Sequence, residues 1–303
     1  MAAKWIDLLD PTEEELHSKV PFKLQESAIE LLLTKPEHDD EPRPTIQSHG
    51  AYVFGVFLVA IALPDDDGMC YQEIELVVAP GTILTVRKTP PHGRPPYDPT
   101  SVRATVRDTD AAGMIAYRIV DDIAEKYLDL VDAVDAEIDE LEDKIDDQPP
   151  AESRERISEL RHDLLRIRRT LAPTRDAVRR VVDDVIEVEH GEEVFPHEAE
   201  IAFTSTYDKL LRASDGLEFS RDLLASVRDY QQSKIAIDQN DVTKRLTVAA
   251  SLILVPTFIV GVYGQNFVHM PELRWHYGYA YSWALIIVTT IAQLIWFRRK
   301  RWI

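Results

Sequence analysis

The chain has 303 residues, and 53 Asp and Glu against 34 Lys and Arg give it a formal net charge of −19. This acidic balance argues against nucleic acid as a partner and suits cations. The one cysteine, Cys70, excludes an internal disulfide and a cysteine-based metal cluster, and is expected to be a small, half-buried apolar side chain. The acidic N-terminus lacks a long apolar core, so we expect no signal peptide there.

Residues 1–110 have the pattern of an α/β domain. Asp10–Glu15 predicts a helix start with a capping box. Three apolar or β-branched runs predict strands, and turn-forming Pro, Asp and Gly residues separate them: Tyr52–Ile61, Glu73–Val78 and Ile83–Arg87.

Residues 111–196 predict an antiparallel pair of long helices that is interrupted at Pro149 and Pro150. The first helix is acidic over Asp121–Asp147 and the second is basic over Arg154–Arg180. An apolar stripe with a period of three to four runs along the first: Tyr127, Leu130, Val134, Ile138, Leu141 and Ile145. The acidic run is either a solvated helix face or a divalent-cation sensor, because a divalent ion would relieve repulsion between its carboxylates.

Residues 197–263 can form one helix, in which Gly216 is tolerable, and a helix of this length needs partners. Four aspartates recur every seven residues and share roughly one face: Asp208, Asp215, Asp222 and Asp229. They are too far apart to chelate one ion within a chain, so a solvated surface is the simpler interpretation. The carboxylates of any regulatory metal site stay unassigned.

Two uncharged runs, Leu246–Val262 and Tyr277–Phe297, are each about 25–32 Å long as helices, enough to cross a bilayer. The alternative is a buried helical hairpin in a globular core. Basic residues precede the first run and follow the second, and the segment between them has only Arg274. We therefore expect both termini in the cytoplasm and residues 264–276 outside an inner or plasma membrane, with residues 277–303 forming the second span and a basic tail.

The first run has one small or polar face, formed by residues that step by three or four: Asn240, Thr243, Thr247, Ala250, Leu254, Thr257 and Gly261. Such a face serves either tight helix packing or a water-lined pore. Two spans cannot enclose a pore, so a pore requires a homo-oligomer. Pro256 removes one backbone hydrogen bond and is expected to bend the helix.

Asn240 and Asn266 are the only asparagines of the chain, and they bracket the first span. Magnesium gives up its water reluctantly, and amide oxygens can accept hydrogen bonds from its hydration shell without binding the ion too tightly. A helix cap or a turn is the ordinary role of either residue alone.

The segment Tyr263–Leu273 reads YGQNFVHMPEL and closely resembles, without a gap, the Tyr-Gly-Met-Asn-Phe-x-x-Met-Pro-Glu-Leu signature of CorA-type magnesium transport proteins. Leu254–Gly261, Arg274–Tyr279 and Arg298–Ile303 also resemble parts of this family, and the similarity continues more faintly upstream. The resemblance implies a cytoplasmic α/β domain, long helices and two C-terminal transmembrane helices in a funnel-shaped homopentamer.

The resemblance also implies roles for individual residues. Asn266 with Gly264 would form the external ring that holds hydrated Mg²⁺, and Glu272 would add acidity at the outer mouth. Five residues would line the pore going inward, with the two leucines as apolar constrictions: Thr257, Leu254, Leu246, Thr243 and Asn240. The family has Met where this chain has Gln265, which bears on ion selectivity.

The implied function is passive, voltage-driven uptake of Mg²⁺, with Co²⁺ and Ni²⁺ as further candidate ions and cytoplasmic Mg²⁺ as the regulator that closes the channel. A zinc transporter of the same superfamily is the nearest alternative. A membrane-anchored enzyme lacks support, since neither a nucleophile elbow nor a phosphate-binding glycine loop is evident; the residues His190–Glu200 form a solvated junction or, less simply, a metal site. A purely structural anchored coiled coil would not explain the paired asparagines.

Overall fold

The computed structural model describes residues 3–35, 43–63, 68–91, 94–186, 188, 193–265 and 270–302. The chain divides into two compact units, Met1–Arg228 and Asp229–Ile303. Each unit is built differently, since the first is an α/β domain with long helices and the second is entirely helical.

The first unit contains a five-stranded mixed sheet with the order β1-β5-β4-β3-β2. Its strands are β1 (Lys4–Leu9), β2 (Thr45–Ser48), β3 (Val53–Leu63), β4 (Gly68–Ala79) and β5 (Thr82–Arg87). β1 pairs with β5 in parallel, and the remaining neighbours are antiparallel. The three strands predicted from sequence are present as β3, β4 and β5, whereas β1 and β2 were missed.

Seven α-helices and one short 3₁₀ helix complete the described chain. They are α1 (Glu13–Lys19), α2 (Glu26–Leu33), α3 (Thr100–Thr105), α4 (Ala112–Lys144), α5 (Pro150–Val182), α6 (His197–Tyr263), the 3₁₀ helix Pro271–Arg274 and α7 (Gly278–Arg299). The predicted capping box is confirmed at α1, where the Thr12 hydroxyl accepts from the Glu15 amide and the Glu15 carboxylate accepts from the Thr12 amide.

Two apolar clusters pack the α/β domain. One joins β1, β3, β4 and β5 to the buried side chains of α1 and α2, such as Leu16 and Leu32. The other joins the sheet to α4, α5 and the first part of α6, and it includes all six residues of the predicted stripe on α4. The fold class expected from the sequence, an α/β domain with long helices and two apolar C-terminal helices, is confirmed.

Polar contacts fix α6 against α4 within the first unit. Lys209 Nζ lies 2.9 Å from Asp121 Oδ1, and the Thr206 hydroxyl donates to the same oxygen at 2.8 Å. Burial lowers the pKa of Lys209, but its hydrogen bonds to Glu125 and Asp121 outweigh this effect, so the net shift is upward. Arg156 and Glu137 form an ion pair between α5 and α4, as expected for helices of opposed charge.

A buried carboxyl pair shares one lysine under the α1–α2 side of the sheet. Lys88 Nζ lies 2.7 Å from Glu73 Oε1 and 2.5 Å from Glu75 Oε1, and it also donates to the carbonyl of Leu31 at 2.8 Å. Burial raises the pKa of Glu75 well above its ordinary value; Lys88 opposes the shift, and Glu73 adds to it. One ammonium cannot neutralise two buried carboxylates, so burial beside Glu73 favours the protonated form of Glu75.

Because the pKa of Glu75 is raised on folding, its contribution to stability is complete below the unfolded carboxyl pKa and is lost as the pH rises through the folded value. We expect the melting temperature of the detergent-solubilised protein to fall as the pH rises over this range. Glu75→Gln should flatten this dependence, because the amide never ionises. The exposed Glu14→Gln is the matched control and should keep the wild-type slope; an unchanged slope in Glu75→Gln would contradict the assignment.

Gly113 permits a close backbone approach at the start of α4. A Cβ atom there would lie 2.4 Å from the Val194 carbonyl oxygen and 3.0 Å from Phe195 Cα. Gly113→Ala should therefore destabilise the protein by about 1–3 kcal/mol through overpacking, measured as a lower melting temperature. Gly216→Ala is the control: its Cβ would meet only a side-chain methyl of Val131 at 2.9 Å, and alanine favours a helix, so a smaller loss is expected. Equal losses would contradict this interpretation.

Candidate ion pore

The second unit contains the two helices that are long and apolar enough to cross a membrane. The most apolar windows of α6 and α7 have mean hydropathy 2.1 and 1.6, and only 11% and 6% of these windows are buried within the chain. A helical hairpin in a globular core would be mostly buried. These two helices are therefore apolar surfaces that a single copy of the chain leaves exposed.

The face of α6 that the sequence singled out is uncovered along its whole length. Seven residues that step by three or four are all exposed: Asn240, Thr243, Thr247, Ala250, Leu254, Thr257 and Gly261. Val248 and Ile259, which point in another direction, are only 6% and 9% exposed. Val248 and Ile259 thus mark a covered side, and the open side carries the small or polar residues together with the exposed side chains of Ile253, Phe258 and Val260.

The threonines of this face use their hydroxyl hydrogens internally. Thr243, Thr247 and Thr257 donate to the backbone carbonyls of Gln239, Thr243 and Ile253 at 2.9, 2.8 and 2.7 Å, respectively. Each hydroxyl oxygen keeps its lone pairs, so these exposed residues can still accept hydrogen bonds. The water of a hydrated cation points its hydrogens away from the ion, so acceptors are the groups that it needs.

Two leucines interrupt the polar character of this face. Leu254 lies on it and is 68% exposed, and Leu246, at its edge, is 69% exposed. They are about 12 Å apart along the helix. Pro256 lies within α6, which nevertheless continues to Tyr263 as a single helix. The expected bend at Pro256 stays a prediction.

The end of α6 leads into the motif. Gly264 donates to the Val260 carbonyl at 2.9 Å, and Gln265 follows as an exposed residue. Asn266, the central residue of the predicted selectivity ring, lies outside the described residues, and so does the side chain of Glu272 in the 3₁₀ helix. The proposed roles of both residues therefore remain predictions from sequence.

At the other end of the open face, Asn240 lies exposed beside an ion pair of Asp241 and Lys244, whose charged atoms are 2.9 Å apart. Hydrogen bonding and the charge of Lys244 lower the pKa of Asp241. The ion pair therefore favours the carboxylate form of Asp241, the residue that follows Asn240 in the chain.

Within the described residues, no group of three or more His, Cys, Asp or Glu side chains is arranged to hold a metal ion. The four heptad-spaced aspartates of α6 are exposed: Asp208, Asp215, Asp222 and Asp229. Of the candidate metal cluster, His190 and Glu192 lie outside the described part of the chain, and His197 pairs with Glu200 at 3.2 Å. A regulatory metal site built by one copy alone has no support among these residues.

Sequence reasoning missed one polar contact of α6. The Gln293 side chain of α7 donates to the Ser251 hydroxyl at 3.0 Å. Both residues were visible as polar positions in apolar runs, but nothing local shows that they pair across two antiparallel helices.

Comparison with known proteins identifies the family that has this architecture. A family model described as a CorA-like Mg²⁺ transporter protein matches residues 2–299. The cobalt/magnesium transport protein CorA of Thermotoga maritima is 32% identical over 192 residues, which cover 63% of this chain and 53%, about half, of that relative. The protein of the same name from Methanocaldococcus jannaschii is 24% identical over 301 residues, or 99% of this chain and 91% of that one.

The solved complete structure of the CorA magnesium transporter from Methanocaldococcus jannaschii has the same fold, with a TM-score of 0.78 at 22% identity over 99% of this chain and 91% of that chain. The family model and this structure both extend over the α/β domain, the long helices and the two apolar helices. The chain therefore belongs to the family of CorA-like Mg²⁺ transporter proteins.

Proposed function

We propose that the chain is a divalent-cation channel in an inner or plasma membrane, assembled as a homopentamer and selective for Mg²⁺, with Co²⁺ and Ni²⁺ as further substrates. The observation that carries this proposal is the open face of α6, which ends at Gly264 and Gln265, next to Asn266. Family membership supports transport rather than enzymatic chemistry. The oligomer is required because a single open face cannot enclose an ion path.

Each part of the open face has a task in this mechanism. Asn266, with Gly264 and Gln265, accepts hydrogen bonds from the hydrated ion at the outer end, and Glu272 adds negative charge at the mouth. Thr257, Thr247 and Thr243 then offer acceptor oxygens to the hydration shell, down to Asn240 at the inner end. Since Mg²⁺ dehydrates reluctantly, a pathway that binds its water shell avoids the cost of stripping it.

Leu254 and Leu246 form apolar constrictions in the assembled pore. A ring of leucines offers water no hydrogen bonds, so a narrow ring empties of water and blocks a hydrated ion. A small outward movement of α6 would rewet the ring.

The membrane potential supplies the driving force for uptake. Basic residues flank the two apolar helices on one side, and the same side holds the α/β domain if both termini are cytoplasmic. A potential of 100 mV, negative inside, favours inward movement of a divalent ion by about 4.6 kcal/mol. Closure by cytoplasmic Mg²⁺ follows if ions bound between the acidic surfaces of neighbouring copies hold those copies together.

Zinc transport is the second candidate, because Gln265 departs from the family signature, which has Met at this position, and this departure bears on ion selectivity. A zinc transporter would pass Zn²⁺ in preference to Mg²⁺ under the same driving force. Substitution of one ion for the other in a flux assay separates the two functions.

Asn266→Ala should abolish Mg²⁺ uptake into proteoliposomes, because alanine offers no acceptor to the hydration shell. Uptake is followed with an enclosed Mg²⁺-sensitive dye at a fixed inside-negative potential. Gln47→Ala is the control, since it removes an exposed carboxamide on β2, outside the proposed pore, and should leave uptake unchanged. Normal Mg²⁺ uptake by Asn266→Ala would show that Asn266 does not select the ion. Uptake of Zn²⁺ alone by the unmodified protein would favour the zinc transporter.

Leu254→Ala should widen the apolar constriction and raise the Mg²⁺ flux about tenfold, which corresponds to a barrier lower by about 1.4 kcal/mol. Leu252→Ala is the matched control, because Leu252 lies two residues away and about 200° around the same helix. Both variants are measured in the same liposome assay. Similar fluxes from the two variants would contradict the assignment of the pore face.

A further inference from the structure

The one described side-chain hydrogen bond between the two apolar helices joins Gln293 to Ser251. Gln293 Nε2 donates to the Ser251 hydroxyl at 3.0 Å and lies 3.4 Å from the Ser251 carbonyl oxygen. Gln293 belongs to the apolar run of α7 and Ser251 to that of α6. In a bilayer, neither group would find water as a replacement partner.

The position of Ser251 allows this bond to restrain the pore face of α6. Ser251 lies one turn after Thr247 and one turn before Leu254, at the edge of the open face and on the side of the covered residue Val248. A bond at this edge restrains rotation of α6 about its own axis. Such a rotation decides whether Leu254 points into the proposed pore or away from it.

Pro256 makes the same stretch of α6 the easiest to deform. Proline has no backbone N–H, so the carbonyl of Leu252 lacks its usual helical donor. Gln293 holds the helix at Ser251, directly before that weakened turn. The hydrogen bond of Gln293 therefore restrains α6 next to the turn that lacks a backbone hydrogen bond.

The Gln293 amide also has an acceptor oxygen with no hydrogen-bond partner among the described residues. Its Oε1 atom and the Thr290 hydroxyl oxygen are buried, and the described part of the chain offers no hydrogen-bond partner to either. Thr290 lies one turn before Gln293 on α7. Breaking the bond to Ser251 would leave the Nε2 donor unpaired beside an acceptor that already has no partner, so α6 is held firmly at Ser251.

We propose that Gln293 is a positioning residue for the pore: its bond to Ser251 sets the rotation of α6, and thereby sets how readily internal Mg²⁺ closes the channel. This inference rests on the proposed function. It differs from a structural role, because a merely structural bond would affect stability and leave the response to internal Mg²⁺ unchanged.

The experiment is a double-mutant cycle of Gln293→Leu, Ser251→Ala and the combined variant, with Ser251→Thr as the conservative variant that keeps the hydroxyl. The full-length proteins are reconstituted in liposomes, and the internal Mg²⁺ concentration that halves uptake is measured. We expect each single variant to change this concentration about fivefold or more, the double variant to change it no further, and Ser251→Thr to remain close to the unmodified protein.

Melting temperatures of the same four variants in detergent give a second readout that needs no transport. If the effects of the two single variants on the melting temperature are not additive but the Mg²⁺ response is unchanged, the bond is only structural and the proposal is overturned. Additive effects in both measurements would overturn it as well, since they would show that the two side chains act separately. An unmodified protein that transports no Mg²⁺ would instead refute the proposed function, and the melting temperatures would still report whether the bond exists.

Discussion

The backbone of a segment in lipid must satisfy its own hydrogen bonds, and the rest of this molecule depends on that constraint. This constraint keeps α6 helical past Pro256 as far as Tyr263, so the sides of the helix differ only in their side chains. One side of the helix carries Val248 and Ile259, which are covered, and another carries threonine, alanine and glycine, which are not. Helical periodicity therefore places the small or polar residues away from the covered side, within a wider open surface that also holds Ile253, Phe258 and Val260.

The charge of the chain is distributed to match this division. Acidic residues dominate α4 and recur along the first part of α6, whereas basic residues precede the first apolar run and follow the second. Acidic surfaces and hydrated divalent cations attract each other, and basic residues at the ends of apolar helices orient these helices in a membrane. The net charge of −19 is thus compatible with both solubility of the α/β domain and an inward path for cations.

Patterns that are local in sequence predicted much of this structure. The capping box at Thr12 and Glu15, the stripe on α4 and the open face of α6 all arise from spacing within one element. β1 was missed because its main stabilisation is a parallel pairing with β5, nearly the whole domain away in sequence, and β2 because it has only four residues. Asn266 shows the other limit: its role follows from the resemblance, and its position lies outside the described residues.

The threonine hydroxyls of α6 have a consequence for what the path can distinguish. Their hydrogens are committed to the helix, so in the proposed pore this face would present oxygen acceptors to any passing ion. Such a surface recognises the outward-pointing hydrogens of a complex and not the metal at its centre. In the proposed pore, any compact cation whose outer shell donates hydrogen bonds in the same directions would compete with hydrated Mg²⁺ for these acceptors.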